Sequence, residues 1–363
     1  MVRLLSLHSQ ASLAENAAIP RLPGYPWHRL VVGLTLLGVL GLVAASFGSV
    51  AIPQGTLLKI VAARLPFLDL APDWPASWET IVWQLRLPRL VLAALVGASL
   101  ASAGATYQGL FRNPLADPYL IGVAAGAGLG ATVVLVTPVP LYLGGVSLLP
   151  LAAFGGALAA VSIAYTLARQ GGTIPLTSLI LAGVAIAALA GAITSLLMIR
   201  SDPDIRPLLG WLMGGFATSH WEQALMVLPY VLPSLLVMLA YSRILNLLQL
   251  DEEQAKQLGV HVERTKLVLI VAASLATAAA VSVSGLIGFV GLLAPHAVRL
   301  VWGPDHRFLL PMAMLVGAGF LVLADLAART VVSPGELPVG VVTAFCGVPF
   351  FLYLLRATRQ RVA

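Results

Sequence analysis

Charge is what this sequence has least of: only 10% of its 363 residues are Asp, Glu, Lys or Arg, against about 25% in an ordinary soluble chain, while 59% are hydrophobic. A water-soluble fold of that composition could not cover its surface. Cysteine is nearly absent too. The lone Cys346 excludes an internal disulfide framework and a cysteine-held metal cluster, and reads as a small apolar packing group. No phosphate-binding loop ending in lysine occurs, and Gly126, Gly128 and Gly130 follow no strand, so the chain carries no nucleotide site of its own. The six histidines, His8, His28, His220, His261, His296 and His306, never fall one helical turn apart beside an acid, as a zinc protease requires. Ser282 and Ser284 have no organised base. No catalytic residue and no metal ligand is assigned. The net charge of +6 is scattered through short loops, without the stripe that nucleic acid demands.

What the sequence does have is long apolar runs, at 30–49, 88–109, 118–137, 146–168, 176–199, 221–241, 265–284, 286–302, 308–328 and 338–355. They predict an all-α polytopic membrane protein with about ten transmembrane helices. The tract 265–302 is divided at Ser284-Gly285, because one helix of that length would far exceed the hydrocarbon thickness. Residues 1–29, with Arg3, Arg21, Arg29 and three prolines, read as a cytoplasmic leader, 30–357 as one transmembrane domain and 358–363 as a cytoplasmic tail. With both termini inside, Lys and Arg are about twice as frequent in inner as in outer connections, which supports that orientation in a cell inner membrane. The stretch 50–87, rich in proline and tryptophan, is expected along the outer interface without spanning. The patch 207–217 reads as a re-entrant or surface helix. The polar stretch 241–264 belongs to the inner side.

Small residues stipple the spans at helical spacing: Gly97, Ala101 and Gly104; Gly122, Gly126 and Gly130; Gly155 and Ala159. They let helix backbones approach closely where lipid supplies no hydrophobic drive. Ionisable residues avoid the span centres, where each would cost roughly 2.5 to 3.5 kcal/mol; Arg89, Glu222, Lys266 and Asp325 fall near predicted ends. An ion-coupled carrier commonly keeps a charge or ion site at mid-depth. Active transport by this chain would therefore draw its energy from a partner.

Three stretches carry a resemblance. Residues 84–130, QLRLPRLVLAALVGASLASAGATYQGLFRNPLADPYLIGVAAGAGLG, are similar to the second and third helices of the FecCD or BtuC-like permease family. ILNLLQLDEEQAKQLGVHVERTK followed by SGLIGFVGLLAPHAVRLVWGPDHR, within 244–307, and the closing ADLAARTVVSPGELPVGVVTAFCGVPFFLYLL match it in the same order. The resemblance implies a BtuC-like ABC importer permease: a homodimer in the lipid bilayer, two copies of a cytoplasmic ABC ATPase that hold the ATP and Mg, and an extracytoplasmic solute-binding protein. This chain itself would bind no cofactor and do no covalent chemistry. The family moves iron-siderophores, haem and cobalamins. An iron-chelate is the first expectation, from the breadth of the family, and a corrinoid the alternative.

The resemblance also assigns residues. Thr194, Ser195, Met198, Met213 and Phe345 are expected to line the translocation path. Leu250, Asp251, Glu253, Ala255, Leu258 and Gly259 form the ATPase-coupling segment: Asp251 caps a short helix, Leu250, Ala255 and Leu258 make its apolar stripe, and Gly259 ends it. Arg86 and Arg329 match family positions that face the binding protein and are expected, with Arg89, to form its docking rim; Arg89 has the alternatives of anchoring its helix among headgroups or pairing with nearby acids. On the cytoplasmic side, the Arg112-Asn113-Pro114 turn and the Pro295, His296, Arg299 segment lie near the inner opening. Pro118 should open a helix capped by Asp117, and Arg299 should snorkel toward headgroups.

Overall fold

A computed structural model describes residues 25–48, 50–64, 71–200 and 205–359. Most of the leader, Arg3 and Arg21 included, lies outside the described residues, as do Ser201 to Asp204. Among the described residues the regular structure is helical apart from one hairpin of two-residue strands, β1 (Tyr142–Leu143) with β2 (Val146–Ser147), and an isolated bridge between Gln170 and Thr173.

Among the described residues seven helices are long and apolar enough to cross a membrane: α1 (Trp27–Ser46), α3 (Ala76–Leu110), α5 (Leu148–Ala168), α6 (Leu176–Arg200), α8 (Trp221–Ala240), α11 (Val262–Ser284) and α13 (His306–Thr330). Three shorter apolar helices occupy the places of the other expected spans. These are α4 (Val123–Val136), α12 (Val290–Trp302) and α14 (Val339–Arg359), whose apolar part is Val339–Tyr353. Fourteen residues in α4 rise only about 21 Å, less than the roughly 30 Å of a hydrocarbon core. Short helices complete the order: α2 (Gln54–Ala62), α7 (Arg206–Met213), α9 (Ser242–Leu247) and α10 (Glu252–Gln257).

The second span starts earlier than its sequence implies. Instead of lying on the surface to residue 87, the chain enters α3 at Ala76 and passes through a π-helical turn, Ile81–Arg86, before Pro88. The wide turn explains the continuity: Leu87 N–H reaches the Val82 carbonyl five residues back, which accommodates a proline ring that would clash with a regular α-turn. The stretch 50–64 does keep to a short helix, α2, packed on Val82 through Leu57 and Ile60.

The centre of the bundle is made of backbone contact. A side chain at Gly97 in α3 would strike the Gly317 carbonyl of α13, and one at Gly104 would strike the Gly291 carbonyl of α12. Gly126 meets Gly156 in the same way between α4 and α5. Here the expectation needs correcting: Gly155 has nothing within 4 Å and is exposed with Ala159, while Gly156 and Ala160 face the neighbour. In an Ala- and Gly-rich helix, composition gives the period of the packing face but leaves its phase open by one residue.

The tract 265–302 breaks where expected. Gly285, at φ 66°, ends α11 beneath the Trp211 carbonyl, and Gly214, at φ 67°, turns the chain after α7. Both need the left-handed region that other residues avoid. Gly215 N–H donates to the Ser284 carbonyl (2.8 Å) and Val339 N–H to the Gly214 carbonyl (2.9 Å). Thus the ends of α7 and α11 and the start of α14 are tied at one crossing.

Candidate functional site

Beside that crossing lies an apolar pocket of about 600 Å³, walled by Leu212, Met213, Leu286, Val341, Phe345 and Val348 among others. Met213 and Phe345 are therefore brought together; Phe345 is 77% exposed. Thr194, Ser195 and Met198 sit elsewhere, on α6, where Ser195 is exposed and donates to the Gly191 carbonyl (3.0 Å). Cys346 is exposed beside Phe345 and is not packed inside the chain as its apolar character suggested.

At one end of the bundle three arginines gather around α13. Arg89 donates to Asp325 (2.7 Å) and also pairs with Glu336 (2.9 Å), while Arg329 lies 3.4 Å from the other Asp325 oxygen. Asp325 is almost fully buried. Arg86 is 7% exposed and turns inward, donating to the carbonyls of Ala45 (2.6 Å), Ser46 (3.1 Å) and Val50. Arg329 donates to the carbonyls of Phe47 (2.7 Å) and Ala44. The free C-terminal carbonyls of α1 are thereby satisfied by guanidinium forks. The three arginines, with Ser219, His220 and Ser333, line a pocket of about 310 Å³.

The opposite end holds a polar layer. Asn113 Oδ1 accepts from Leu115 N–H (2.9 Å), and Arg112 takes φ 49°; Pro114 is exposed next to them. Asp117 caps a 3-10 turn, Pro118–Ile121, by accepting from Tyr119 N–H (2.8 Å), as its position before Pro118 led one to expect. Pro295 is buried within α12, and His296 stacks edge-on to Phe350. Arg299 does not snorkel. It donates to Gln108 Oε1 (2.9 Å), a side chain buried in α3 that itself donates to the Gly291 carbonyl (3.2 Å). Gln108 was missed in the sequence, although a glutamine inside an apolar run is the signal that marks it.

A second unanticipated network joins α9 to α13. Asn246 donates to Asp305 (2.6 Å) and accepts from His306 N–H (2.9 Å), and Arg307 forks onto Asp305 (2.6 and 2.9 Å). The Arg307 fork, with Asn246 behind it, holds the Asp305 carboxyl down at about 2.

The segment expected to couple to an ATPase follows α9. Asp251 caps α10 by accepting from Glu252 N–H (2.8 Å), and Gly259, at φ 83°, closes it. Glu253 is exposed. The apolar stripe is divided: Leu250 and Leu258 are 42% and 60% exposed, whereas Ala255 is fully buried against the bundle and faces inward. Lys266 fixes the segment to α11 by pairing with Glu252 (2.9 Å) and Glu263 (3.0 Å), and Gln249 donates to the Gly109 carbonyl at the end of α3 (2.8 Å).

No group of three or more His, Cys, Asp or Glu residues able to hold a metal ion occurs among the described residues. The FecCD transport family model matches residues 36–357. A cobalamin import system permease protein of Halobacterium salinarum is 46% identical over 332 residues, covering 87% of this chain and 88% of that one. A hemin transport system permease protein of Yersinia pestis is 41% identical, with 92% and 97% covered. A vitamin B12 import system permease protein of Yersinia pseudotuberculosis is 42% identical, with 78% and 85% covered. Among solved structures, an inward-facing metal-chelate type ABC transporter superposes with a TM-score of 0.78 at 34% identity, over 92% of this chain and all of the other. On this footing the chain belongs to the FecCD transport family, as a non-catalytic, multi-pass permease subunit of the ABC importers that take up metal chelates of the siderophore, haem and cobalamin kind.

Proposed function

We propose that the protein is the permease of a cobalamin importer, with α4, α12 and α14 completing ten membrane passes and both termini cytoplasmic. The observation that carries the cargo is the pair of cobalamin and vitamin B12 permeases at 46% and 42% identity, which turns the balance from the iron-chelate expected first toward the corrinoid. Haem is the second reading, favoured by the hemin permease at 41%. Both cargoes are bulky metal macrocycles, and a weakly polar wall suits passage without tight retention.

In this reading two copies meet about a path walled by Met213 and Phe345 from one crossing and by Thr194, Ser195 and Met198 from α6. The exposed Leu250 and Leu258, with Asp251, Glu253 and Gly259 shaping the turn between them, enter a cleft of the ATPase; Ala255 anchors that turn from behind. The solute-binding protein docks over the Arg86, Arg89 and Arg329 pocket, where three guanidiniums outnumber the Asp325 and Glu336 carboxylates beside them and leave positive charge to attract acidic groups of the partner. The Arg112-Asn113-Pro114 turn and the Pro295, His296, Arg299 segment border the inner opening. Hydrolysis in the partner switches which side the path faces.

Uptake of labelled cobalamin and of haemin into proteoliposomes holding the permease, its ATPase and its binding protein tests the reading. ATP-dependent cobalamin uptake is expected. Haemin uptake alone would transfer the assignment to the second reading, and ATP-independent uptake of either would sink both. Phe345→Asp should lower uptake more than it lowers membrane abundance, because a charge in an apolar wall is costly to desolvate and alters the path.

A further inference from the structure

α1 and α13 do not close on each other along their whole length. The only buried residues of α1 are Ala44, Ala45 and Ser46, at its C-terminal end, where Arg86 and Arg329 hold its carbonyls. Nearer Trp27 a groove of about 200 Å³ opens between the two helices and the end of α12. Its walls include Val32, Leu36 and Leu40 from α1 and Met312 and Leu315 from α13. Gly33 and Gly319 line it from opposite sides, and the space a side chain at Gly319 would enter is bounded only by Leu40 and Leu37, at 3.6 and 4.0 Å. Arg29 and Trp302 also line it, both at the end where α1 begins. Arg29 is exposed, and although its backbone N–H donates to the Pro26 carbonyl (3.0 Å), its guanidinium makes no hydrogen bond or ion pair among the described residues.

We infer that this groove is a lipid site, holding one acyl chain of an anionic phospholipid whose phosphate is taken by Arg29. The shape argues for a chain: a helix with its side chains is about 10 Å across and could not enter so small a groove. An apolar groove left empty in hydrocarbon forfeits dispersion contacts that a methylene chain restores. The chemistry at its mouth argues for the headgroup. A guanidinium offers five donors in a fork that matches phosphate oxygens, and Trp302 beside it is a side chain suited to the interface. Such a lipid would brace the first half of α1 as the arginines brace the second. The inference is independent of the cargo and of which way the chain faces.

The full chain in nanodiscs of equal phosphatidylglycerol and phosphatidylcholine, released into native mass spectrometry, provides the test. One phosphatidylglycerol should remain on the parent in preference to phosphatidylcholine. Arg29→Gln should reduce that preference about fivefold, the factor expected for one basic residue beside an anionic lipid surface. Gly319→Leu, which fills the groove, should lose the retained lipid whatever its headgroup. Phosphatidylglycerol with a diazirine in its acyl chain should label peptides spanning 32–40 and 312–319 of the parent, a readout that needs no variant. Equal retention of both headgroups by the parent, an unchanged preference in Arg29→Gln, or labelling confined to other helices would each overturn the site.

Discussion

α11 and α6 are both long and apolar enough to cross a membrane, yet the most apolar stretch of α11 is 72% buried within the chain and that of α6 only 17%. Hydropathy therefore finds both and ranks neither. Residue size makes the distinction. The buried positions of α11 are largely Ala, Ser and Thr, and its hydroxyls close on its own carbonyls, as Thr277 does on Ala273 (2.7 Å). On α6 the outward positions are Leu181, Val184, Leu189, Leu196 and Ile199. Interior helices shrink their side chains so that backbones touch, while rim helices keep large aliphatic groups for lipid or a second subunit.

The largest test of this contrast is electrostatic. Asp325→Ala strands Arg89 and Arg329 beside a buried gap and should cost about 3 to 5 kcal/mol, read as a fall in the unfolding midpoint of the detergent-solubilised chain. Arg64→Ala, which breaks the exposed pair with Glu79, should cost only about 0.2 to 1 kcal/mol. Equal losses would dissolve the distinction between interior and rim. Next comes Leu258→Asp, on a rim position that faces a proposed partner instead of lipid. Losing an exposed leucine from an interface at about 1.5 to 3 kcal/mol predicts ATPase association weaker by roughly ten- to a hundredfold in a quantitative pull-down, with chain stability unchanged.

A pair of glycine substitutions sharpens the comparison further. Gly97→Leu drives a side chain into the Gly317 backbone and should destabilise by about 1 to 3 kcal/mol. Gly191→Leu on α6 meets nothing within 4 Å and should stay within about 0.5 kcal/mol. The smallest effect belongs to Asp305. Its carboxyl is held below the ordinary value, so its contribution is full above the unfolded carboxylate range and is lost as pH falls through about 2. Asp305→Asn should abolish that part of the acid dependence of the melting temperature between pH 4 and 2.

The apolar runs, the break at Ser284-Gly285, the cap at Asp117 and the short helix after Asp251 were legible because each depends on a local pattern. The long entry of α3 was hidden, because prolines and tryptophans signal interruption and nothing local announces a π-turn that absorbs Pro88. The choice between Gly155 and Gly156 depends on the neighbouring helix, as does the inward turn of Arg299 toward Gln108. Arg86 and Arg329 stood out in the sequence, but their use on the carbonyls of Ala44, Ala45, Ser46, Phe47 and Val50 follows from tertiary geometry alone.

The exposed sulfur of Cys346 has a practical corollary. It is the only cysteine in the sequence and stands next to Phe345 on the open face of α14. A nitroxide or fluorophore attached there needs no background thiol removed, and in the proposed dimer two labelled copies would form a molecular ruler between the subunits. The separation it reports with and without nucleotide would record the movement of that face directly.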